Sequence, residues 1–128
     1  MSVAFISYRR CDSAQAAQAL HVQLRNRLGP SQLFFDVSAI LPGAEWPERI
    51  RTALSNAKVL IVVLGPQWVT AANEHGQRRI DDPDDWVRKE IEHAIQSEIS
   101  ILPVMVAGLV KLPPPSALPE SLRPLLER

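Results

Sequence analysis

Cysteine is nearly absent from this sequence: Cys11 is the only one among 128 residues. One cysteine cannot form an internal disulfide framework, and none of the usual zinc-binding patterns is present, so no metal site is predicted. The simplest interpretation is a protein of a reducing compartment, and we expect a cytoplasmic location.

Net charge is absent too, because 14 lysines and arginines balance 14 aspartates and glutamates. Domains that bind nucleic acid through bulk phosphate attraction usually carry a basic excess, so no direct nucleic-acid partner is expected. The longest apolar run, Val59 to Gly65, is far too short to span a bilayer, and no membrane partner is expected. The start, Met1–Ile6, has no basic segment before its apolar residues and does not resemble a signal peptide.

Glycine-rich phosphate-binding motifs are also missing. No G-x-G-x-x-G follows a predicted strand, and there is no G-x-x-x-x-G-K-[ST]. Neither the Rossmann nor the P-loop way of holding phosphates is therefore available. If a dinucleotide binds this chain, it binds as a substrate by another geometry.

Short, continuously apolar runs alternate with helical patterns along the chain, and hydrophobic residues make up 46% of it. This composition is sufficient for one core, so a single domain over residues 1–128 is predicted. The alternation predicts an α/β fold, a parallel sheet with helices on both faces, in which ligands bind beyond the carboxyl ends of the strands. Strands are predicted at 3–6, 33–35, 59–64 and 101–106, and helices at 13–28, 45–56, 83–97 and 119–128.

The stretch W-V-R-K-E at 86–90 carries the most distinctive chemistry. Asp82 is predicted to cap its helix and Pro83 to occupy the first helical position, which places Glu90 about two turns in. Trp86 and Glu90 are four residues apart and share one helix face. An indole beside a carboxylate suits a ligand that is aromatic and positively charged, or one that becomes positive during reaction. Glu90 as an exposed helix carboxylate and Trp86 as a core residue remain open alternatives.

Polar residues that follow the first strand form a second group of candidates. Arg9 and Arg10 offer guanidinium donors suited to a pyrophosphate. Alternatively, they are a solvated pair at a strand end or partners of the acids at 81–85. Tyr8 and Ser7 would line the same mouth, although Ser7 could instead cap the following turn.

The loop after the second strand contributes Asp36, which either binds a ligand hydroxyl or forms an Asx-turn. Trp46 is at helical spacing with Ile50 and is predicted to be a core residue. None of the three histidines has metal-ligand spacing. His93 follows Glu90 by three residues and either modulates it or lies on the surface.

Four motifs in order resemble those of a bacterial TIR (Toll/interleukin-1 receptor) domain over nearly the whole chain. They are F-I-S-Y-R-R at 5–10, F-F-D at 34–36, L-P-G-x-x-W at 41–46 and D-D-W-V-R-K-E-I at 84–91. The resemblance implies a flavodoxin-like fold whose BB loop, here 37–45, contacts other TIR domains through Ile40, Leu41, Pro42 and Gly43. A complete TIR domain has a fifth strand and a final helix beyond the position of Arg128. We therefore expect four strands. The domain would be trimmed at its C-terminal end, excised from a larger effector protein, or unusual in its C-terminal segment.

The resemblance also implies an activity. Many TIR domains cleave NAD at the nicotinamide–ribose bond with the glutamate of a W-x-x-x-E motif, which matches Glu90 here, and NAD is then a substrate, with no cofactor required. The substrate-binding candidates are Trp86, Arg9, Arg10, Tyr8, Ser7, Asp36 and Trp46. The products would be nicotinamide and ADP-ribose or a cyclic ADP-ribose. Activation by self-assembly, a fused sensor domain and a role in bacterial antiviral defence are expected.

A second interpretation belongs to another class of protein. Some TIR domains are non-catalytic adaptors, and others mimic host TIR domains during virulence. Adaptors do not need the glutamate at position 90, so this residue distinguishes the two interpretations.

Overall fold

The computed structural model describes residues 4–29, 33–34, 48–109 and 111–127, without the side chains at 10, 11, 34, 49, 126 and 127. Four parallel strands form one sheet in the order β2-β1-β3-β4. The strands are β1 (Ala4–Ser7), β2 (Leu33–Phe34), β3 (Val59–Leu64) and β4 (Ser100–Met105). The predicted α/β class is confirmed, and the described ranges contain no fifth strand.

Three α-helices connect the strands: α1 (Arg10–Leu28), α2 (Glu48–Ser55) and α3 (Trp86–Gln96). Three 3-10 segments, Arg79–Asp81, Pro115–Ala117 and Glu120–Glu127, complete the described elements. The last of them was predicted as an ordinary helix. Pro124 lies inside it, and proline has no N–H to donate to the preceding turn.

The two faces of the sheet bury separate hydrophobic clusters, because successive strand residues point to opposite sides. The larger cluster joins β1, β3 and β4 to α2, α3 and the last 3-10 segment, and includes Phe5, Leu60, Val62, Ile50, Leu54, Ile91 and Leu122. The smaller joins the sheet to α1, and includes Ala4, Ile6, Ala17, Leu33, Ile61 and Val63. Helices therefore cover both faces, as the sequence predicted.

The start of α3 differs from the predicted one by a turn. Asp85 is the N-cap, and its side chain accepts from the backbone N–H of Arg88 at 3.0 Å. Asp82 instead closes a separate turn, in which its side chain accepts from the N–H of Asp84 at 2.9 Å. Glu90 is consequently the fifth residue of α3, about one turn into the helix instead of two.

The start of α1 also differs from the predicted one. The helix begins at Arg10, but Ser13 has non-helical angles, φ −147° and ψ 29°, and separates one initial turn from the main helix. The predicted start at Ser13 thus corresponds to a kink. No helix within the described ranges is long and apolar enough to cross a membrane.

Asp12, in the initial turn of α1, ties this turn to the end of β3. Its carboxylate accepts from the N–H groups of Gly65 at 2.8 Å and Gln67 at 2.7 Å. A Cβ at position 65 would lie 2.6 Å from both carboxylate oxygens of Asp12. The close approach therefore requires glycine there.

Gly65→Ala is expected to lower the free energy of unfolding by about 1–3 kcal/mol, because the Asp12 carboxylate is held by two hydrogen bonds and cannot move away freely. Urea denaturation measures this loss. In an Asp12→Ala background the same glycine substitution should cost less, since the clashing group is gone. An equal cost in both backgrounds would contradict the proposed cause.

Candidate active site

Ser7 and Glu90 meet at the carboxyl end of β1. Ser7 Oγ donates a hydrogen bond to Glu90 Oε1 at 2.7 Å. Ser7 is 1% exposed and Glu90 8% exposed, so the interpretation of Glu90 as an exposed helix carboxylate is wrong. The short hydrogen bond fixes the orientation of the carboxyl group at the end of the sheet where ligands bind in such folds.

Trp86 lies one turn before Glu90 on α3 and is half-buried. It packs against the larger cluster, which agrees with the core alternative for part of its surface. The remaining exposed part lies on the same helix as the Glu90 carboxylate. A tryptophan that is partly packed in the core and partly exposed on the helix of Glu90 is suited to border a ligand site.

Arg9 is 4% exposed and is held by two neighbouring elements. Its Nη1 and Nη2 donate to the two carboxylate oxygens of Asp85 at 2.9 and 2.7 Å. Its Nε donates to the carbonyl of Trp68 at 3.0 Å, and the guanidinium lies 5.5 Å from the centre of the Trp68 ring. This geometry favours the alternative in which Arg9 pairs with the acids at 81–85 over direct contact with a pyrophosphate.

Other predicted site residues have mixed positions. Tyr8 is half-buried and packs against the smaller cluster. The Arg10 side chain lies outside the described part of the chain, and so do Asp36, Trp46 and the whole BB loop with Ile40, Leu41, Pro42 and Gly43. Their roles remain predictions. Among the described residues, no group of histidine, cysteine, aspartate or glutamate side chains is arranged to hold a metal.

Sequence reasoning missed two residues of this region, Asp12 and Trp68. Trp68 is 1% exposed although its segment is polar and irregular. The signal for Asp12 was an acid just after the first strand, a position suited to the N–H groups of a helix start or a neighbouring loop. An isolated tryptophan after a Gly-Pro break offered only a weak signal for burial.

An apolar cleft of about 200 Å³ lies beside the carboxyl end of β3 and is lined in part by Trp68. The segment after β3 forms one wall and the segment after β4 the other. The lining residues are Leu64, Gly65, Pro66, Trp68, Val69, Leu109, Lys111, Pro113, Pro114 and Ala117. Neither Ser7 nor Glu90 lines it, so the cleft is distinct from their contact.

His93, one turn after Glu90, contacts α2 through its Nε2, which lies 2.9 Å from Ser55 Oγ. Burial lowers the pKa of His93 below its ordinary value of 6.5, and the positive charge of Arg51 lowers it further. The interpretation of His93 as a simple surface residue is therefore incomplete, since the ring is half-buried between two helices.

The lowered pKa of His93 predicts a loss of stability in acid. The unfolded chain takes up the proton more readily than the folded one, so stability should fall as the pH drops below about 6.5. His93→Asn should make denaturant midpoints measured at about pH 7.5 and about pH 5.5 more alike than in the wild type. His21, whose pKa is also lowered by burial and by Arg25, should account for part of the remaining difference. An unchanged pH dependence in His93→Asn would contradict this assignment.

The fold and site define a small parallel α/β domain with a buried carboxylate at its strand ends. A family model described as the TIR domain matches residues 4–125. The chain belongs to the TIR domain family.

Two curated relatives are similar over nearly all of the chain. NAD(+) hydrolase sarm1 of Drosophila melanogaster is 32% identical over 123 residues, which cover 93% of this chain and 8% of that protein. NAD(+) hydrolase SARM1 of Danio rerio is 31% identical over 125 residues, which cover 96% of this chain and 16% of that protein. The chain therefore spans only a small part of the length of these relatives.

Solved structures agree in fold. The TIR domains in the activated Roq1 resistosome, which directly recognizes the pathogen effector XopQ, superpose with a TM-score of 0.61 at 16% identity, over 91% of this chain and 61% of that chain. A metazoan TIR-STING receptor from C. gigas gives a TM-score of 0.54 at 20% identity, over 95% of this chain and 35% of that chain. At these identities the likeness concerns the fold alone.

Proposed function

We propose that this domain is an NAD glycohydrolase and that Glu90 is its catalytic residue. The observation that carries the proposal is the buried carboxylate of Glu90, held by Ser7 at the carboxyl end of β1. The similarity to two proteins named NAD(+) hydrolase supports NAD as the substrate. In the proposed reaction NAD is the substrate, and no cofactor is required.

The chemistry of NAD explains how one carboxylate suffices. Breaking the bond between ribose C1′ and the nicotinamide nitrogen moves the electron pair to that cationic nitrogen, so nicotinamide leaves neutral without a general acid. Positive charge develops at C1′, where a fixed carboxylate in a water-poor site stabilises it. Ordinary glycosidases require a second carboxyl group to protonate their leaving group.

The product depends on the nucleophile that reaches C1′. Water adds its oxygen to C1′ and loses a proton, which gives ADP-ribose. A hydroxyl or ring nitrogen of the same molecule gives a cyclic ADP-ribose instead. Trp86, half-buried on the helix face of Glu90, is suited to stack against the nicotinamide or adenine ring.

Self-assembly through the BB loop, with Ile40–Gly43 in contact with a neighbouring copy, is the proposed means of activation. An effector of this kind stays inactive in dilute solution, since assembly depends on concentration. We propose that the domain acts in the cytoplasm as part of an antiviral effector that a fused sensor domain triggers. In this proposal the domain makes no direct contact with nucleic acid or membrane.

A non-catalytic adaptor, or a mimic of host TIR domains, is the second candidate, and family membership supports it equally. The buried position of Glu90 favours the enzyme, because a helix carboxylate that served only solubility would be exposed.

The deciding experiment measures NAD consumption and product identity by wild-type protein, both in dilute solution and densely tethered to beads. Nicotinamide release that increases with density, and that Glu90→Gln abolishes, is expected. Absence of turnover by tethered wild type would favour the adaptor. Turnover that is equal in wild type and Glu90→Gln would show that Glu90 is not the catalytic group.

A further inference from the structure

Strand β1 and helix α3 are joined by side-chain contacts at two points. Ser7 contacts Glu90, and Arg9, two residues later, contacts Asp85, five residues earlier on the opposite element. Arg9 continues the strand direction, with φ −96° and ψ 123°. Two residues of extended chain advance about 6.6 Å, and five residues of helix rise about 7.5 Å. The two spacings match closely enough for both contacts to form together.

The Arg9–Asp85 contact is a buried, two-point ion pair. The side chains are 3% and 9% exposed. The planar guanidinium donates to both carboxylate oxygens, which sets the direction of Asp85 as well as its distance. The Trp68 carbonyl and ring hold the guanidinium from another side. The position of the Arg9 guanidinium is therefore fixed by Trp68 as well as by Asp85.

Asp85 transmits this position to the helix. Its Oδ2 accepts from Arg9 Nη2 at 2.7 Å and also from the N–H of Arg88 at 3.0 Å. Its carbonyl accepts from the N–H of Lys89 at 2.9 Å. Arg9 therefore holds the residue that caps α3, and Glu90 lies only about one turn further along the helix.

We propose that Arg9 and Asp85 are positioning residues that place the Glu90 carboxylate against Ser7, and that Arg9 is not a substrate ligand. The proposal rests on the proposed function for its catalytic consequence. In this proposal Ser7 holds the Glu90 carboxylate directly. The Arg9–Asp85 pair fixes the rotation of α3 about its axis and its position along β1.

Two conservative variants test the proposal by steady-state kinetics on the tethered protein. Arg9→Lys keeps the charge but loses the two-point fork, and Asp85→Asn keeps a capping oxygen but loses the ion pair. Each is expected to lower kcat roughly 10- to 100-fold, since a displacement of about 1 Å can have this effect. KM for NAD should change by less than about twofold. The double variant should have a kcat only slightly below that of the less active single variant, because both substitutions break the same contact.

Arg78→Gln is the matched control. Arg78 forms a two-point pair with Asp81 at 2.8 and 3.0 Å, close to α3 but at the surface. Its loss should leave kcat and KM near their wild-type values. Melting curves of all variants ensure that each is folded at the assay temperature.

Hydrogen exchange at the amides of residues 88–90 supplies a readout that does not need activity. Faster exchange in both Arg9→Lys and Asp85→Asn, with no change in Arg78→Gln, is expected. Unchanged exchange in either variant overturns the proposal. A higher KM with unchanged kcat in Arg9→Lys alone also overturns it and makes Arg9 a substrate ligand. If tethered wild type has no turnover but exchange rises as expected, the positioning role stands and the proposed function fails.

Discussion

Replacing Glu90 with glutamine is expected to reduce nicotinamide release by the tethered protein at least about 100- to 1,000-fold, the range for removing one group that stabilises transition-state charge. Glutamine has nearly the same shape, and its oxygen can still accept from Ser7 Oγ. The negative charge beside C1′ is what the substitution removes. Because packing is preserved, the loss should be in kcat, measured by nicotinamide release at saturating NAD.

Glu92→Gln is the control for this prediction. Glu92 lies two residues further along α3 and is half-buried, and its carboxylate accepts from Arg88 at 3.0 Å and Ser121 at 2.6 Å. Its substitution removes the same charge from the same helix, away from the contact with Ser7. Turnover close to wild type is expected for Glu92→Gln. Comparable losses in both variants would indicate a general effect of helix charge and contradict a specific role of Glu90.

Replacing Trp68 with alanine is expected to lower the free energy of unfolding by about 3–5 kcal/mol. Trp68 is among the largest fully buried side chains, at 1% exposure, and belongs to the larger cluster. The substitution leaves a cavity beneath Arg9 and removes the ring that the guanidinium contacts. Since domains are stable by only about 5–15 kcal/mol, urea denaturation should show a large fall in the midpoint.

Trp68→Phe separates packing from the polar group. Within the part of the chain that the structure describes, the buried Nε1 of Trp68 has no hydrogen-bond partner. Phenylalanine keeps most of the ring and buries no unpaired N–H, so its cost should be less than half that of alanine. Equal losses for the two substitutions would show that ring packing is not the cause.

The positions of the strands along the chain followed from the sequence because they depend on local pattern. Buried parallel strands are apolar on both faces, so Val59–Leu64 was recognisable as a buried strand without knowledge of its neighbours. Its central place between β1 and β4 is known from the structure. The alternation of such runs with helical patterns then left few topologies, because crossovers between parallel strands are right-handed.

The boundaries of helices were harder to predict from the sequence where several residues could serve as the cap. Asp82 and Asp85 are both good caps by type, and Pro83 favoured the earlier start. In the structure α3 begins at Trp86 and is capped by Asp85, the acid that also pairs with buried Arg9. A contact with a residue far away in sequence thus outweighs a local preference of about 1 kcal/mol.

The candidate site shows the same division. Glu90 and Trp86 were identified from their spacing on one helix and from the W-x-x-x-E motif, and the role of Glu90 remains a proposal. Its burial and its bond to Ser7 were not evident, because 83 residues separate the partners. The role of Arg9 was left open for the same reason.

By itself, the sequence determined the α/β class, the order of strands and helices, and the chemical groups present at the strand ends. These properties depend on periodicity and residue type within short segments. Only the tertiary structure decided that Glu90 is buried, that Arg9 serves Asp85, and that Asp12 and Trp68 support the strand ends. Each of these depends on which distant side chain fills the adjacent space, and only the packed sheet brings such pairs together.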